Sequence, residues 1–299
     1  MFSYAQNLED ARIALLFGEH HAGTYVDVGG GHPIADNATY MLYLAGWRGL
    51  VVEPQHGLAA LYAPLRPRDI VHATLVGRAE GEVDFHVVDR LHGLSSMLPA
   101  QAEAAKEWGA GHVVERRAVT TLTALLDAAA LGPIDVLKVD VEGVEPDVLA
   151  GLDFARHRPT MMVIEAIFPG HTEPDYTRFE PFVIERGYAR AHYDGLNVIY
   201  VVTERPDLLA GFTPEMEARA QAASAFHRLG RAAEDTTHPD HAAARALSRG
   251  LLARLPFLDP DLVASLLPEG APKPGTDAFR ALIGRIAAGT DGGKIHWDA

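Results

Sequence analysis

Asp27, Glu53, Asp140 and Glu165 each stand at the end of an apolar, β-branched run, and that placement gives them chemical meaning. In Thr24-Tyr25-Val26-Asp27-Val28-Gly29-Gly30-Gly31 the acid leads into three glycines; in Gly49-Leu50-Val51-Val52-Glu53-Pro54 it closes the run. A bare glycine turn lets the backbone approach a ligand because no Cβ stands in the way. A carboxylate roughly 20 residues further on is where a neighbouring parallel strand delivers an acceptor for ribose hydroxyls. The pair therefore points to an adenosine-type cofactor. A dinucleotide would want a third glycine where Gly29-Gly30-Gly31-His32-Pro33-Ile34 has Ile34, and Pro33 removes an N–H that a pyrophosphate would use. S-adenosylmethionine has no phosphate and carries a sulfonium cation, which suits Asp27. A nicotinamide-dependent oxidoreductase is the alternative from the same fold.

Ligands of open α/β sheets sit outside the carboxyl ends of the strands. Asp27, Glu53, Asp140 and Glu165 are thus expected on one rim. Asp140, from Lys138-Val139-Asp140-Val141-Glu142-Gly143-Val144-Glu145, is the first choice for a base or for orienting an acceptor, with His192, Glu165 and Glu142 behind it. Glu53 is expected to hold the ribose, Asp27 and the Gly29, Gly30 and Gly31 backbone the methionine end, and Asp69 or Ile70 the adenine edge. Lys138 lies within a strand, where it makes either a buried ion pair or a substrate contact. In Gly93-Leu94-Ser95-Ser96 the paired hydroxyls of Ser95 and Ser96 serve either the acceptor or a turn. Asp140, Glu142 and Glu165 also offer hard oxygen ligands to a divalent cation, a secondary reading because carboxylates at this rim serve the cofactor equally well. Among 15 histidines, His32, His92, His171 and His192 are placed for general-base work, whereas His20-His21 and His238-Pro239-Asp240-His241 read as solvated loops.

The elements that must position these groups alternate. Strands are expected at Tyr25–Val28, Leu50–Glu53, Ile70–Val76, Ile134–Asp140 and Met161–Glu165, with an edge strand at Val83–Val88. Helices are expected at Leu8–Phe17, Asp36–Ala45, Thr121–Ala130, Pro146–Gly151 and Phe179–Arg186, and Arg190–Tyr193 with Asn197–Val202 reads as a hairpin across Asp194-Gly195-Leu196. This is a doubly wound α/β sheet with an antiparallel end. Beyond Gly211 the texture changes. Thr213-Pro214, Asp259-Pro260 and Thr276-Asp277 look like helix starts between Ala- and Leu-rich stretches. About four short helices and no convincing strand follow, which divides the chain into 1–212 and a helical extension, 213–299, that could serve as a dimerisation surface or a lid.

Composition narrows the classes. The chain has 299 residues, 48% of them hydrophobic, and a formal net charge of −14, with 26 Lys and Arg against 40 acids. That balance argues against nucleic-acid binding. No apolar run reaches the ~18 residues of a membrane span, and Met1-Phe2-Ser3-Tyr4-Ala5-Gln6 lacks the basic and apolar regions of a signal peptide, so a cytoplasmic location is expected. With no cysteine, disulfides, thiolate metal sites and cysteine nucleophiles are excluded.

Taken in order, Ser3-Tyr4-Ala5-Gln6-Asn7-Leu8-Glu9-Asp10, Val26-Asp27-Val28-Gly29-Gly30-Gly31-His32-Pro33, Gly46-Trp47-Arg48-Gly49 with Glu53-Pro54, Gly93-Leu94-Ser95-Ser96, Leu137-Lys138-Val139-Asp140-Val141-Glu142-Gly143 and Tyr193-Asp194-Gly195-Leu196-Asn197 resemble the FkbM family of S-adenosylmethionine-dependent methyltransferases. The resemblance covers about residues 1–205. It implies a class I (Rossmann-like) methyltransferase sheet and O-methylation of a hydroxyl on a sugar or secondary metabolite. It implies an N-terminal element, with Gln6, Glu9 and Asp10, closing over the cofactor. The cofactor set it suggests adds His32, Asn37 and Pro54 to Asp27, the glycines, Glu53 and Asp140. The substrate set is Ser95, Ser96, Lys138, Asp194 and Asn197. Gly30 replaces a larger small residue usual in the family, and Val198-Ile199 replaces a more polar pair. A non-catalytic assembly protein on the same fold is the rival from another class.

Overall fold

The computed structural model describes residues 1–18, 20–88, 95–104, 106, 110–167, 173–226, 236–237, 241–265 and 270–288. His92, Gly93, Leu94, His171 and His238 lie outside the described residues.

β1 (Phe2–Ser3) and α1 (Glu9–Phe17) precede β2 (Thr24–Val28). α2 (Tyr40–Leu44), β3 (Arg48–Val52), α3 (His56–Leu65), β4 (Ile70–His72), β5 (Leu75–Val76) and β6 (Gly81–Val88) follow. Next come α4 (Pro99–Ala104), β7 (His112–Thr120), α5 (Leu122–Ala129), β8 (Val136–Val139), α6 (Glu145–Ala150) and β9 (Met161–Glu165). α7 (Glu180–Ile184), β10 (Tyr188–Tyr193), β11 (Asn197–Val202), α8 (Pro206–Ala210), α9 (Pro214–Gln221) and β12 (Ser224–Ala225) complete a compact unit, Met1–Phe226.

Seven strands form one sheet in the order β10-β11-β9-β8-β2-β3-β4. β2 lies inside the sheet, parallel to both neighbours, with Asp27 opposite Val51 on one side and Lys138 on the other. β11 runs antiparallel to both β9 and β10, so its first residue, Asn197, faces Glu165 at the carboxyl rim. The inner strands read as near-continuous apolar runs because both faces are covered. On one face Val26, Val28, Leu50, Leu137 and Ile164 pack with Leu122, Leu126, Val148, Leu149 and Val183. On the other Tyr25, Val51, Val136, Val163 and Ile199 pack with Ile13, Leu42, Tyr62 and Leu208. Side chains alternate along a strand. Asp27, Lys138, Glu165 and Asn197 therefore fall on the same face as Tyr25, Val136, Val163 and Ile199, the face that α1, α2 and α3 cover.

Several expectations change. The run Ile70–Val76 splits, because β4 joins the large sheet while β5 enters a three-stranded sheet of order β5-β7-β6. Val83–Val88 does lie at an edge, as expected, but of that smaller sheet, where β6 pairs antiparallel with β7 over its whole length. β7 escapes a period-2 reading because most of its residues, Val113 to Arg116 among them, are exposed. The expected Asp36–Ala45 helix shortens to α2, since Asn37 and Thr39 are held in the loop before it.

The first unit ends at Phe226 rather than at residue 212. β12 pairs parallel with β1, Phe2 opposite Ser224 and Ser3 opposite Ala225, so the region expected to lack strands contains one. α9, capped by the Thr213 hydroxyl as its sequence indicates, lies against α1. There Leu8 and Ala11 meet Ala220, Ala223 and Ala225, and buried Arg12 forks onto Glu217 at 2.9 and 2.6 Å. The second unit, His227–Ala299, contains helices His241–Arg254, Pro260–Ser265 and Asp277–Ala288 and a small core of Leu255, Val263, Phe279 and Ile283. Asp259 and Thr276 cap its last two helices. Among the described residues, no helix is long and apolar enough to cross a membrane.

Glu217→Ala leaves the Arg12 guanidinium, 2% exposed, with Asp194 at 3.7 Å but without its closer charge partner. Breaking a fully buried pair costs about 3–5 kcal/mol; with Glu217 itself 28% exposed, a loss of roughly 1–3 kcal/mol is expected on urea unfolding. An unchanged unfolding midpoint would detach α9 from the first unit.

Candidate functional site

The site begins where β2 ends. Gly29 has φ +82° and a Cβ there would lie 1.7 Å from the Asp140 carbonyl oxygen. The ends of β2 and β8 thus approach closer than any side chain permits. The Gly29 and Gly30 N–H groups both donate to the Val52 carbonyl, at 2.9 and 3.1 Å. Glu53, at the end of β3, takes the Gly31 N–H on Oε2 and the Gln55 N–H on Oε1, both at 2.7 Å. Each oxygen keeps a further lone pair. Burial pushes Glu53 up to about 7, against those two N–H groups, and the charges of Asp27 and Asp140 push the same way as burial.

Asp27 is 1% exposed; Oδ2 accepts from the Thr39 hydroxyl at 2.7 Å, while Oδ1 is buried without a hydrogen-bond partner. Behind the loop, Asn37 and Tyr62 donate to the Gly30 carbonyl, at 2.9 and 2.8 Å. Buried Arg66 donates to Asn37, Thr39, Tyr25 and Asp69. Asn37, expected against the cofactor, is therefore spent on shaping the loop. His32 does the same, its Nδ1 accepting from the Ile34 and Ala35 N–H groups. The Pro54 carbonyl accepts from Arg117. The adenine-edge assignment fails on direction: Asp69 and Ile70 stand at the amino end of β4, and Asp69 is locked between Arg66, Tyr25 and the Gly49 N–H. The carboxyl end of β4 is His72.

Asp140, Glu142 and Glu165 come together, each offering a carboxylate oxygen within 4.8 Å of the others. Lys138 reaches Asp140 Oδ2 at 2.7 Å, the buried ion pair of its two sequence readings. Burial alone would raise Asp140, but the Lys138 ammonium and hydrogen bonds from Glu165 and Lys138 bring it below the usual carboxylate range. Burial, then the charge of Asp140, pushes Glu142 and Glu165 well above that range. Glu142 has φ +58°, in the left-handed region that a non-glycine residue enters at a cost. Its loop is pinned on both sides: Ser96 Oγ donates to the Glu142 carbonyl at 2.9 Å, and Glu145 accepts from the Val141 and Gly143 N–H groups. Ser96 and Ser95, whose Oγ accepts from the Val88 N–H, thus brace the loop and its neighbouring sheet rather than face an acceptor.

The N-terminal element folds back over the same rim. Glu9 Oε1 accepts from Asn197 Nδ2 at 2.7 Å, and Asn7 donates to the Asp194 carbonyl at 2.6 Å. Burial, then the charge of Asp194, raises Glu9 to about 7. Asp10 is consumed by Ser3, Tyr4, Ala5 and Ala11, which fold the first residues onto α1. Burial raises it to about 6, against those same hydrogen bonds. Asp194 accepts from the Leu196 and Asn197 N–H groups. Asp10, Asp194 and Asn197 are accordingly internal braces, while Gln6 is exposed in the turn before α1. His192, expected as an alternative base, stacks on Phe212 and lies 3.7 Å from Glu217. Burial and the Arg12 charge lower it.

A family profile described as the methyltransferase FkbM domain matches residues 23–189, more than half of the chain. The chain belongs to the FkbM methyltransferase family. The FkbM span takes in the glycine loop, Glu53 and the Asp140–Glu142–Glu165 group, and leaves the α1 element outside it. Among curated proteins no sequence matches significantly. Arg66, Thr39 and Tyr62 are residues that sequence reading missed. They belong to no motif, and Tyr62 and Arg66 act on a loop far from them in sequence.

Gly31 has φ +57° but open space around its Cβ position. Gly31→Ala is expected to cost about 1–2 kcal/mol, the strain alone, and Gly29→Ala several times more. Equal losses in thermal unfolding would remove the close-approach argument. Glu9 and Glu53, raised to about 7, keep protons in the fold that the unfolded chain releases near 4.5. Their contribution is full below that value and is lost as pH rises to about 7. Between pH ~5 and ~8 the ligand-free protein should therefore lose more stability than Glu53→Gln does.

Proposed function

We propose that this FkbM-family chain is a class I, S-adenosylmethionine-dependent O-methyltransferase acting on a hydroxyl of a small molecule such as a sugar or secondary metabolite. Counting the large sheet's strands in chain order gives 3-2-1-4-5-7-6 with the seventh antiparallel, the arrangement of that class, which supports the reading. The observation that carries it is the buried, unpartnered Oδ1 of Asp27 beside a glycine turn whose Gly31 leaves open space. A cationic methionyl group matches that acceptor, and a phosphate would not. S-adenosylmethionine supplies a methyl group activated by its sulfonium.

The remaining tasks fall to the chain. Asp27 and the Gly29–Gly31 backbone would take the methionine end, and Glu53 the ribose hydroxyls through the lone pairs that the Gly31 and Gln55 N–H groups leave open. Holding an acceptor oxygen in line contributes several kcal/mol by replacing a bimolecular encounter with an oriented one. Asp140, kept ionised by Lys138, is the group to accept the hydroxyl proton, worth ~10²–10⁴ in rate. Glu9 and Asn197 close the rim above β9 and β11.

Calorimetry and a methyl-transfer assay over hydroxylated acceptors separate these roles. Glu53→Ala should weaken cofactor binding at least ~10-fold, the worth of about one charge-assisted hydrogen bond. Asp140→Asn should leave binding within ~3-fold and lower turnover by ~10² or more. Equal cofactor affinity in wild type and a folded Glu53→Ala protein would defeat the assignment.

A further inference from the structure

Asp140, Glu142 and Glu165 present three carboxylates to one point, and Lys138 supplies one positive charge beside them. Two features set Glu142 apart from Asp10, Glu53 and Glu145. Asp10, Glu53 and Glu145 are each satisfied by backbone N–H groups. Glu142 Oε2, in contrast, is buried and has no hydrogen-bond partner. Its loop, meanwhile, is tied to Ser96 and Glu145, so the bare carboxylate is held in place rather than left to turn outward. A buried carboxylate oxygen without a donor costs free energy unless a cation or donor arrives.

We propose that Asp140, Glu142 and Glu165 bind a hard divalent cation. The donor set is all carboxylate oxygen, with no thiolate or imidazole, which selects Mg²⁺, Ca²⁺ or Mn²⁺ over softer metals. Oxygens on opposite sides of a Ca²⁺ at 2.3–2.6 Å lie about 4.6–5.2 Å apart. Oxygens within 4.8 Å of one another fall within the span that ligands of one such ion occupy, and a small side-chain adjustment gathers the three round it. Three ligands leave further coordination positions for water or for acceptor oxygens, so vicinal hydroxyls are the acceptor class this site would favour. The charge of the cation and that of Lys138 together balance the three carboxylates.

This rests on the transferase reading for its use but not for its test. Mn²⁺ alone is titrated into the full chain and free ion followed by electron paramagnetic resonance, with S-adenosylmethionine binding measured separately in the presence of a chelator. One saturable Mn²⁺ site below about 1 mM is expected, weakened at least ~10-fold in Glu142→Gln and in Glu165→Gln, with Ca²⁺ or Mg²⁺ competing for it. Circular dichroism confirms that each variant is folded. Absence of saturable Mn²⁺ binding, or binding unchanged in both folded variants, overturns the proposal. If S-adenosylmethionine binds with metal chelated while Mn²⁺ does not, the cation falls and the transferase reading stands. Mn²⁺ binding without any S-adenosylmethionine binding supports the cation and removes the cofactor.

Discussion

More buried carboxyl groups gather at the carboxyl ends of β2, β3, β8 and β9 than that region would tolerate without help. Asp27 and Glu53 are nearly inaccessible, and Asp140, Glu142 and Glu165 crowd one point. The surrounding chain is organised to bear this. Backbone N–H groups from Gly31 and Gln55 are turned onto Glu53, the Thr39 hydroxyl onto Asp27, and the Lys138 ammonium onto Asp140. Only a glycine at position 29 lets β2 and β8 converge tightly enough to put these groups within reach of one another. Carboxylates held in this way attract cationic ligands because their own solvation has been replaced by fixed dipoles.

Support for the rim comes from deeper layers that never touch it. Arg66 lies among Tyr25, Tyr43 and Tyr62 and ties Asn37 and Thr39 to Asp69. Through Asn37 and Tyr62 that network fixes the Gly30 carbonyl, and through Thr39 it fixes Asp27. On the far side of the sheet, Ser96 links the three-stranded sheet to the loop of Glu142. The geometry of the acids is thus over-determined, which is what allows Glu142 to keep a left-handed backbone.

Much of this is legible in the chain, for a physical reason. Parallel strands buried on both faces appear as apolar runs, and the polar residue that stops each run marks the rim; Asp27, Glu53, Asp140 and Glu165 are found that way. The end of a strand is less legible than its existence, so Asp69 reads as a rim residue although it stands at the entrance of β4. β7 is hidden because the exposed residues of a strand carry no alternation. Asp10, Asp194 and Asn197 are recognisable as polar residues in family motifs, yet whether such a group meets a ligand or the chain itself depends on partners up to 188 positions away. The same distance hides the role of α9, whose attachment to α1 moves the edge of the unit from 212 to 226.

That long-range stitching has a consequence for biosynthesis. The strap over the rim is fastened by Asn7 to Asp194 and by Glu9 to Asn197, and the opening strand finds its mate at Ser224 and Ala225. During translation the first helix must wait, its Arg12 solvated, until nearly the whole unit has left the ribosome. Closing so large a loop carries an entropic penalty that nearby contacts do not share. The polypeptide accordingly assembles its carboxylate rim late, after the sheet beneath it has formed, and an unfinished nascent chain presents the rim incomplete.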